Sequence, residues 1–403
     1  MSQKKLLFLG GGYADKSLIK ASKELGFYTI TCNSNLNDSG HKIADLSYCV
    51  DYSDINAVSL LVEKHNIDFI FPGCNDFAAV TASTVSEKYG LIGNDSTKNC
   101  LAIHHKNKFR NRLSEHDLPV PNIAILENSE DVTAKCAKLK FPVMVKPVDL
   151  TGGKGIVKVS YKDELAEAVK TASSITRQNT IVVEEYIDGS HHSVSCIIKD
   201  STVIFSFAAN EYFYKNPYLV AGAYACEDQA CWHVKDALKQ LTQLAIDLEL
   251  QDGLIHAQYI AGDDNQTYLL DVCRRPPGDF FVDLVSQAKD VDYCKLIIGT
   301  SFNCFDSNEA SMLHDTCDAK PVVRHCCMPD RNGVFNDLEL SDTFLNALII
   351  NNVLIEPNHS IDHFEVQKTN IVLGQFCTFN ELHETVKCIN NHAIVRMKDD
   401  AIT

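Results

Sequence analysis

The chain has no apolar run long enough to span a bilayer, so a helical membrane span is not expected. Its first apolar stretch, Leu6 to Leu9, is also too short for the hydrophobic core of an export signal. With Gly10-Gly11-Gly12 directly behind it, that stretch reads as a first β-strand. No C-x-x-C pair occurs, although the sequence holds 16 cysteines. They are scattered through segments of helical and strand character in a chain that needs no staples. Reduced thiols and a cytoplasmic location are therefore expected. Cys326-Cys327 beside His325 invites a zinc reading, but the usual ligand spacing is missing. Basic charge is scarce, with 37 Lys and Arg against 53 Asp and Glu and a net charge of −16. That balance argues against a nucleic-acid partner, since phosphate backbones demand a basic surface. It does not exclude a nucleotide, which needs only a few local cations and backbone N–H groups. A Walker A loop is absent, and Gly10-Gly11-Gly12 does not fit G-x-G-x-x-G, because Asp15 stands where the last glycine belongs. A structural turn is the simpler reading of that cluster.

What is present is an alternation of strand and helix. At 403 residues the chain is too long for one core, and two to four domains are expected. Leu6–Leu9, Phe27–Thr31 and Asp68–Gly73 read as strands, with helices over Ser17–Leu25 and Asn56–His65 between them. This βαβ rhythm predicts a parallel sheet covered by helices. From about residue 100 the texture changes. Lys106–His116 looks helical and is broken by Leu118-Pro119-Val120-Pro121. Phe141–Lys146 and Thr180–Tyr186 read as strands, with a helix over Asp163–Ser173. Cys231–Leu248 is a long helix. Leu254–Ile260 and Thr267–Val272 form a hairpin around Gly262-Asp263-Asp264-Asn265. No internal repeat or low-complexity linker is visible. The segment beyond residue 300 holds a further strand-and-helix set without evident chemistry.

Three stretches carry chemistry. Lys146 ends the apolar strand Phe141–Val145 and precedes Thr151-Gly152-Gly153-Lys154-Gly155. A lysine there is costly to bury unless an anion meets it, and glycines let bare backbone N–H groups approach phosphate oxygens. A hairpin turn with an exposed lysine is the plain alternative. In the second stretch, Glu184-Glu185-Tyr186-Ile187 closes a β-branched strand. It is either a solvated strand end or a base-reading edge. The third is His256-Ala257-Gln258 with Asp271-Val272-Cys273-Arg274-Arg275-Pro276-Pro277-Gly278-Asp279. The period of two in strands puts His256 with Gln258, and Asp271 with Cys273 and Arg275, on one side of a hairpin. A carboxylate, an amide and a guanidinium together suit a magnesium–phosphate site.

Taken together, these stretches resemble the ATP-grasp family, in its carboxylate–amine ligase branch. The resemblance runs over the whole chain, with its specific motifs between about residues 100 and 285. It implies an α/β protein in which an N-terminal parallel-sheet βαβ domain precedes a two-lobed ATP-grasp fold with an α+β core. The implied domains are 1–100, Rossmann-like; 101–300, ATP-grasp, with a nucleotide-binding lobe from Lys106 to 190 and a catalytic lobe over 191–300; and 301–403, small and α/β. The resemblance further implies ATP and Mg2+ as cofactors. Lys106 and Lys146 would contact ATP phosphates, and Gly152, Gly153 and Lys154 would form the phosphate loop. Glu184 would take the adenine amino group, while the backbones of Glu185 and Ile187 read the ring edge. The family's ribose-binding glutamate falls on His191, with His192 beside it. Asp271 and Gln258 would hold the metal, and Arg275 the γ-phosphate. The chain departs from the family where it has Gln258 for an acidic residue, and Asp271-x-Cys273-x-Arg275 for E-x-N-x-R. Cysteine is a poor partner for a hard cation.

The implied reaction is activation of a carboxylate as an acylphosphate, followed by capture by an amine, with ADP and phosphate released. The implied partners are small-molecule acids and amines, and a homodimer is possible. Three alternatives stay open at this point. They are a nucleotide-binding relative that has lost its chemistry, a purine-pathway or carboxylase-like enzyme, and an NAD-dependent oxidoreductase resting only on Gly10–Gly12.

Overall fold

A computed structural model describes residues 3–127, 131–150, 153–304 and 318–398. The expected parallel sheet is there. It runs β3-β2-β1-β4, from β1 (Lys5–Leu9), β2 (Tyr28–Asn33), β3 (Leu46–Cys49) and β4 (Phe69–Pro72), and all its pairings are parallel. Its strands are apolar on both faces, as a sheet covered on both sides requires. Leu7, Leu9, Ile30 and Ile70 pack against one helical layer and Leu6, Phe8 and Phe71 against the other. The helix Asp76–Tyr89, which hydropathy did not announce, follows β4. Asn75 caps it by accepting a hydrogen bond from the Phe77 amide, and it ends at Gly90. Its buried positions are mostly alanine, serine and threonine, so its apolar stripe is faint in the sequence.

The glycine cluster after β1 is filled from within. The Asp15 carboxylate accepts hydrogen bonds from the amides of Gly11 (2.9 Å), Gly12 (3.0 Å) and Cys74 (2.9 Å). A Cβ on Gly10 would lie 2.6 Å from the same carboxylate. The amides a pyrophosphate would need are already taken, so the loop is a structural turn.

A second, antiparallel sheet follows, β5-β8-β6-β7, built from β5 (Ile123–Glu127), β6 (Val143–Pro147), β7 (Val157–Val159) and β8 (Thr180–Glu185). The helix Leu165–Ser173 seals one face through Leu165, Ala168, Val169 and Ala172. The largest sheet is also antiparallel. It contains β9 (Gly189–Lys199), β10 (Thr202–Phe213), β11 (Val220–Ala225), β12 (Gly253–Gly262) and β13 (Thr267–Cys273). The chain then forms β14 (Val322–Cys327), β15 (Gly333–Leu340), β16 (Leu348–Val353), β17 (Ser360–Ile361), β18 (Asn370–Gln375) and β19 (Ala393–Met397). Strand order in the large sheet is β13-β12-β9-β10-β11-β14-β18-β16, while β17-β15-β19 stand apart. Three strands from beyond residue 320 thus continue the sheet that carries β12 and β13. The long helix Trp232–Asp247 buries Ala237, Leu241, Leu244 and Ala245 against β9, β12 and β13. The β12–β13 turn closes as the sequence predicts, with the Gly262 amide donating to the Gln266 carbonyl at 2.8 Å.

Candidate active site

The small antiparallel sheet and the large one enclose a cleft of about 340 Å³. Its first wall comes from β6 and β8. Met144 pairs with Glu184 and Lys146 with Val182, so Lys146 and Glu184 are diagonal neighbours on one face. The helix Lys106–Glu115 supplies the third partner. Lys106, Phe109, Arg110 and Leu113 form its buried stripe at i, i+3, i+4 and i+7, which places two cations where a simple amphipathic helix would have apolar side chains. Arg110, 1% exposed, donates from Nε to Glu184 Oε2 at 3.0 Å and from its two amino groups to the carbonyls of Leu269 and Leu270 at 3.1 and 3.0 Å. Lys146 closes on the other Glu184 oxygen.

Burial alone would raise the Glu184 carboxyl, but Arg110 and Lys146 override it and hold it at about 2. Burial, aided by Arg110 and Lys106, lowers the Lys146 ammonium despite Glu184. The expectation that Glu184 receives a base's amino group meets a carboxylate that already holds two cations. Arg110 is the residue the motif reading missed; its place on the buried stripe was the available signal.

The backbone after Glu184 is arranged differently. The amides of Glu185 and Tyr186 donate to the carbonyls of Asn122 and Pro142, each at 3.0 Å, while the Ile187 amide has no internal partner among the described residues. Lys106 donates to the Leu150 carbonyl at 2.6 Å and lines the cleft, as do His191 and His192. The His191 ring meets Phe213 at 4.8 Å, and His192 Nε2 pairs with the Ser190 hydroxyl at 2.7 Å. In the glycine loop, Gly152 lies outside the described residues. Gly153 lines the cleft at φ +74°, and a Cβ there would stand 2.3 Å from the Tyr218 carbonyl oxygen. Only glycine fits that approach. Lys154 is exposed and is not among the residues lining the cleft.

The opposite wall is the β12–β13 hairpin. Its register pairs His256 with Cys273 and Gln258 with Asp271, and these four line the cleft together with Arg275. The Asp271 carboxylate makes no hydrogen bond or ion pair with any described residue. Gln258 donates from its amide nitrogen to Glu211 at 2.9 Å, which leaves its oxygen available to the cleft. Buried His256 is held at about 3 by burial and by Arg275, and its Nδ1 meets the Ser195 hydroxyl at 2.9 Å. Arg275 is gripped by Asp76 through two 3.0 Å contacts. Asp76 also takes His104 Nδ1 at 3.0 Å. This joins the hairpin to the N-terminal helix Asp76–Tyr89. Burial would lower His104, yet Asp76 and Cys100 together carry it to about 10.

His325 and Cys326 alternate faces on β14. His325 Nδ1 meets the Tyr212 hydroxyl at 2.9 Å, and Cys326 meets Arg324 at 3.2 Å. Among the described residues no three His, Cys, Asp or Glu side chains converge as a ligand set, and the fifteen described cysteines are free thiols. No helix of the described residues is long and apolar enough to cross a membrane.

An N-terminal parallel sheet followed by two antiparallel sheets that close on a cleft lined with lysines is the architecture that the resemblance to the ATP-grasp family implies, and the comparisons with known proteins support that resemblance. Residues 113–276 match the family model described as D-ala D-ala ligase C-terminus. The chain is 25% identical over 293 residues to the formate-dependent phosphoribosylglycinamide formyltransferase of Prochlorococcus marinus (strain MIT 9303), covering 70% of this chain and 72% of that one. The L-amino acid ligase from Bacillus licheniformis has the same fold, with a TM-score of 0.83 at 15% identity, over 99% of this chain and 100% of that one. The biotin carboxylase domain of the Hydrogenobacter thermophilus 2-oxoglutarate carboxylase, solved with MgADP and bicarbonate, superposes with a TM-score of 0.77 at 15% identity, over 98% and 91% of the two chains.

Proposed function

We propose that the protein is an ATP-dependent ligase that activates a carboxylate as an acylphosphate and couples it to an amine. The observation that carries this reading is the placement of Lys106 and Lys146 on one wall of the cleft, facing on the other an Asp271 carboxylate that no described residue hydrogen-bonds. Cations on one side suit a polyphosphate bound through its charge, and a carboxylate opposite suits a divalent cation that accompanies it. The base would lie against Tyr186 and Ile187, its edge read by the free Ile187 amide, with the ribose toward His191 and His192. Glu184 acts from behind, by fixing the Lys146 ammonium rather than by touching the base.

The donors on the hairpin also fit a hard divalent cation. Asp271 offers a carboxylate and Gln258 its amide oxygen, both oxygen ligands of the kind magnesium takes, and the Cys273 sulfur adds nothing to that set. Bound there, magnesium would neutralise phosphate charge. Lys146 and Arg275 stabilise the charge that spreads over the transferring phosphoryl group. The substrate carboxylate attacks the γ-phosphorus, ADP departs, and the amine then displaces phosphate from the acylphosphate. Gly153, which lines the cleft and abuts Tyr218, helps keep water from that intermediate.

The test is release of phosphate from ATP and magnesium in the presence of amino acids, dipeptides and sugar acids. Acid- and amine-dependent release supports the reading. ATP binding without release under any pairing would leave a nucleotide-binding relative that has lost its chemistry.

A further inference from the structure

The helix Trp232–Asp247 begins at a pair of thiols that the cleft chemistry does not use. Cys226 directly follows β11 and Cys231 caps the helix, with Glu227-Asp228-Gln229-Ala230 between them. The turn is held shut from within. Gln229 donates to the carbonyls of Ala208 at 2.8 Å and Cys226 at 2.7 Å, and accepts from the Ala208 amide at 2.8 Å. The Asp228 carbonyl accepts from the Cys226 thiol and from the Cys231 amide, each at 3.4 Å. One carbonyl thus draws both residues together, and Cys231 packs against the cluster of Cys226, Ala208 and Val234. Burial, and then the nearness of Cys231, push the Cys226 thiol up to about 12.

The two thiols are not equivalent. Cys226 is buried and Cys231 half-buried. The Cys231 sulfur meets His233 Nε2 at 3.1 Å and makes no hydrogen bond to the helix amides it caps. The positive end of a helix favours an anionic sulfur. His233 Nδ1 meets the Tyr259 hydroxyl at 2.9 Å, and burial lowers the imidazole. A neutral ring that gives Nδ1–H to the hydroxyl oxygen has Nε2 free to take a thiol proton. One thiol is therefore open and has a base, and the other waits behind it.

The pair also touches the back of the cleft. The His233 ring lies on the His192 ring with centroids 4.3 Å apart, and both His192 and Tyr259 line the cleft.

We infer that Cys226 and Cys231 form a reversible disulfide, and that closing it weakens nucleotide binding by drawing Cys231 off His233, the ring that backs His192. The second half rests on reading the cleft as a nucleotide site. The oxidant is a peroxide, written here as hydrogen peroxide. Cys231 gives its proton to His233, and its sulfur attacks one peroxide oxygen. The O–O bond breaks, and the departing hydroxide takes that proton to become water. Cys231 is then a sulfenic acid. The Cys226 sulfur attacks the Cys231 sulfur, the S–S bond forms, and the hydroxyl leaves as water with the Cys226 proton. Two thiols have lost two electrons to the peroxide, and a dithiol returns them. A transient, sensing disulfide is the kind that occurs among otherwise reduced thiols.

The experiment uses two local reporters. Trypsin releases Asn216–Lys235 as one peptide that holds both thiols and no other cysteine, and the single tryptophan of the chain, Trp232, adjoins Cys231. Hydrogen peroxide should convert that peptide to its internally bridged form and change Trp232 emission in step, and dithiothreitol should restore both. Cys226→Ser should stop at a Cys231 sulfenic acid that dimedone captures, and Cys231→Ser should form no bridge. By calorimetry, ADP with magnesium should bind oxidised protein about tenfold more weakly than reduced protein, a usual size of coupling between sites. The variant carrying both serines should lose that difference. If the peptide keeps two alkylatable thiols under peroxide that oxidises exposed Cys49, Cys377 and Cys388, the disulfide is overturned. A bridge that leaves the affinity unchanged overturns the link to the cleft. ADP that binds neither form removes the nucleotide reading and that link together, while the peptide alone still decides the bridge.

Discussion

The two walls of the cleft handle charge in opposite ways. On the Lys146 side, Glu184 is enclosed by Arg110 and Lys146, and Arg110 spends its remaining donors on two carbonyls. These three charged side chains are paired with one another. On the hairpin side, Asp271 has no partner among the described residues, Gln258 keeps a free oxygen, and Arg324 Nε is buried and unmatched. A paired cluster holds geometry, whereas unpaired groups need a ligand to complete them. The contrast assigns a structural part to Glu184 and a chemical one to Asp271, and each assignment can be broken separately.

The largest effect expected is at Glu184. Glu184→Gln strands Arg110 and Lys146 as buried cations, and removing one partner from a buried pair costs about 3–5 kcal/mol. Urea denaturation should show that loss, and a stability within experimental error of wild type would mean the triad is not structural. Asp271→Asn should do the reverse. Unfolding should shift by less than about 0.5 kcal/mol, as at a site without structural contacts, while phosphate release falls about a hundredfold or more, the scale of one lost preorganised electrostatic contact. Comparable losses of stability in both variants would erase the contrast between the walls.

Lys106 tests the boundary, since among the described residues its ammonium hydrogen-bonds only to a carbonyl. Lys106→Ala should weaken ATP binding by about 1.5–3 kcal/mol, the worth of a charge-assisted contact. Calorimetry reads this directly, and unchanged affinity would place the phosphates elsewhere. The smallest effect concerns pH. His104 is carried to about 10 by Asp76 and Cys100. Because its folded value lies above the ordinary histidine value, the stability it contributes is complete below about 6.5 and is lost as pH rises through about 10. Arg275 keeps hold of Asp76 when His104 gives up its proton, so the loss is modest. Comparing wild type with His104→Gln in denaturation from pH 6 to 10.5 should show the gap closing at the alkaline end. A gap that widens there would invert the assignment.

What could be read directly were features that depend on neighbours along the chain. Period-two alternation and a tight turn placed His256, Gln258, Asp271 and Cys273 on one face of a hairpin, and the register confirms it. The parallel βαβ rhythm of residues 5–72 was legible for the same reason, because strand and helix periods are local properties. Helix Asp76–Tyr89 escaped because small residues fill its buried side. Lys146 at a strand end was visible as a lysine in need of an anion, but the sequence offered several, and the fold chose Glu184. That pairing spans 38 residues, and Arg110–Glu184 spans 74. The grip of Asp76 on Arg275 spans 199, and the Tyr13–Asp279 bond 266. Glu211 shows no motif at all. It enters the cleft only because β10 lies one strand beyond β9, on which β12 is paired. Local periodicity determined the faces of the elements. Which charges meet across them was decided by sheet order and domain docking, because burial makes a charge take whatever counter-charge the tertiary structure brings within reach.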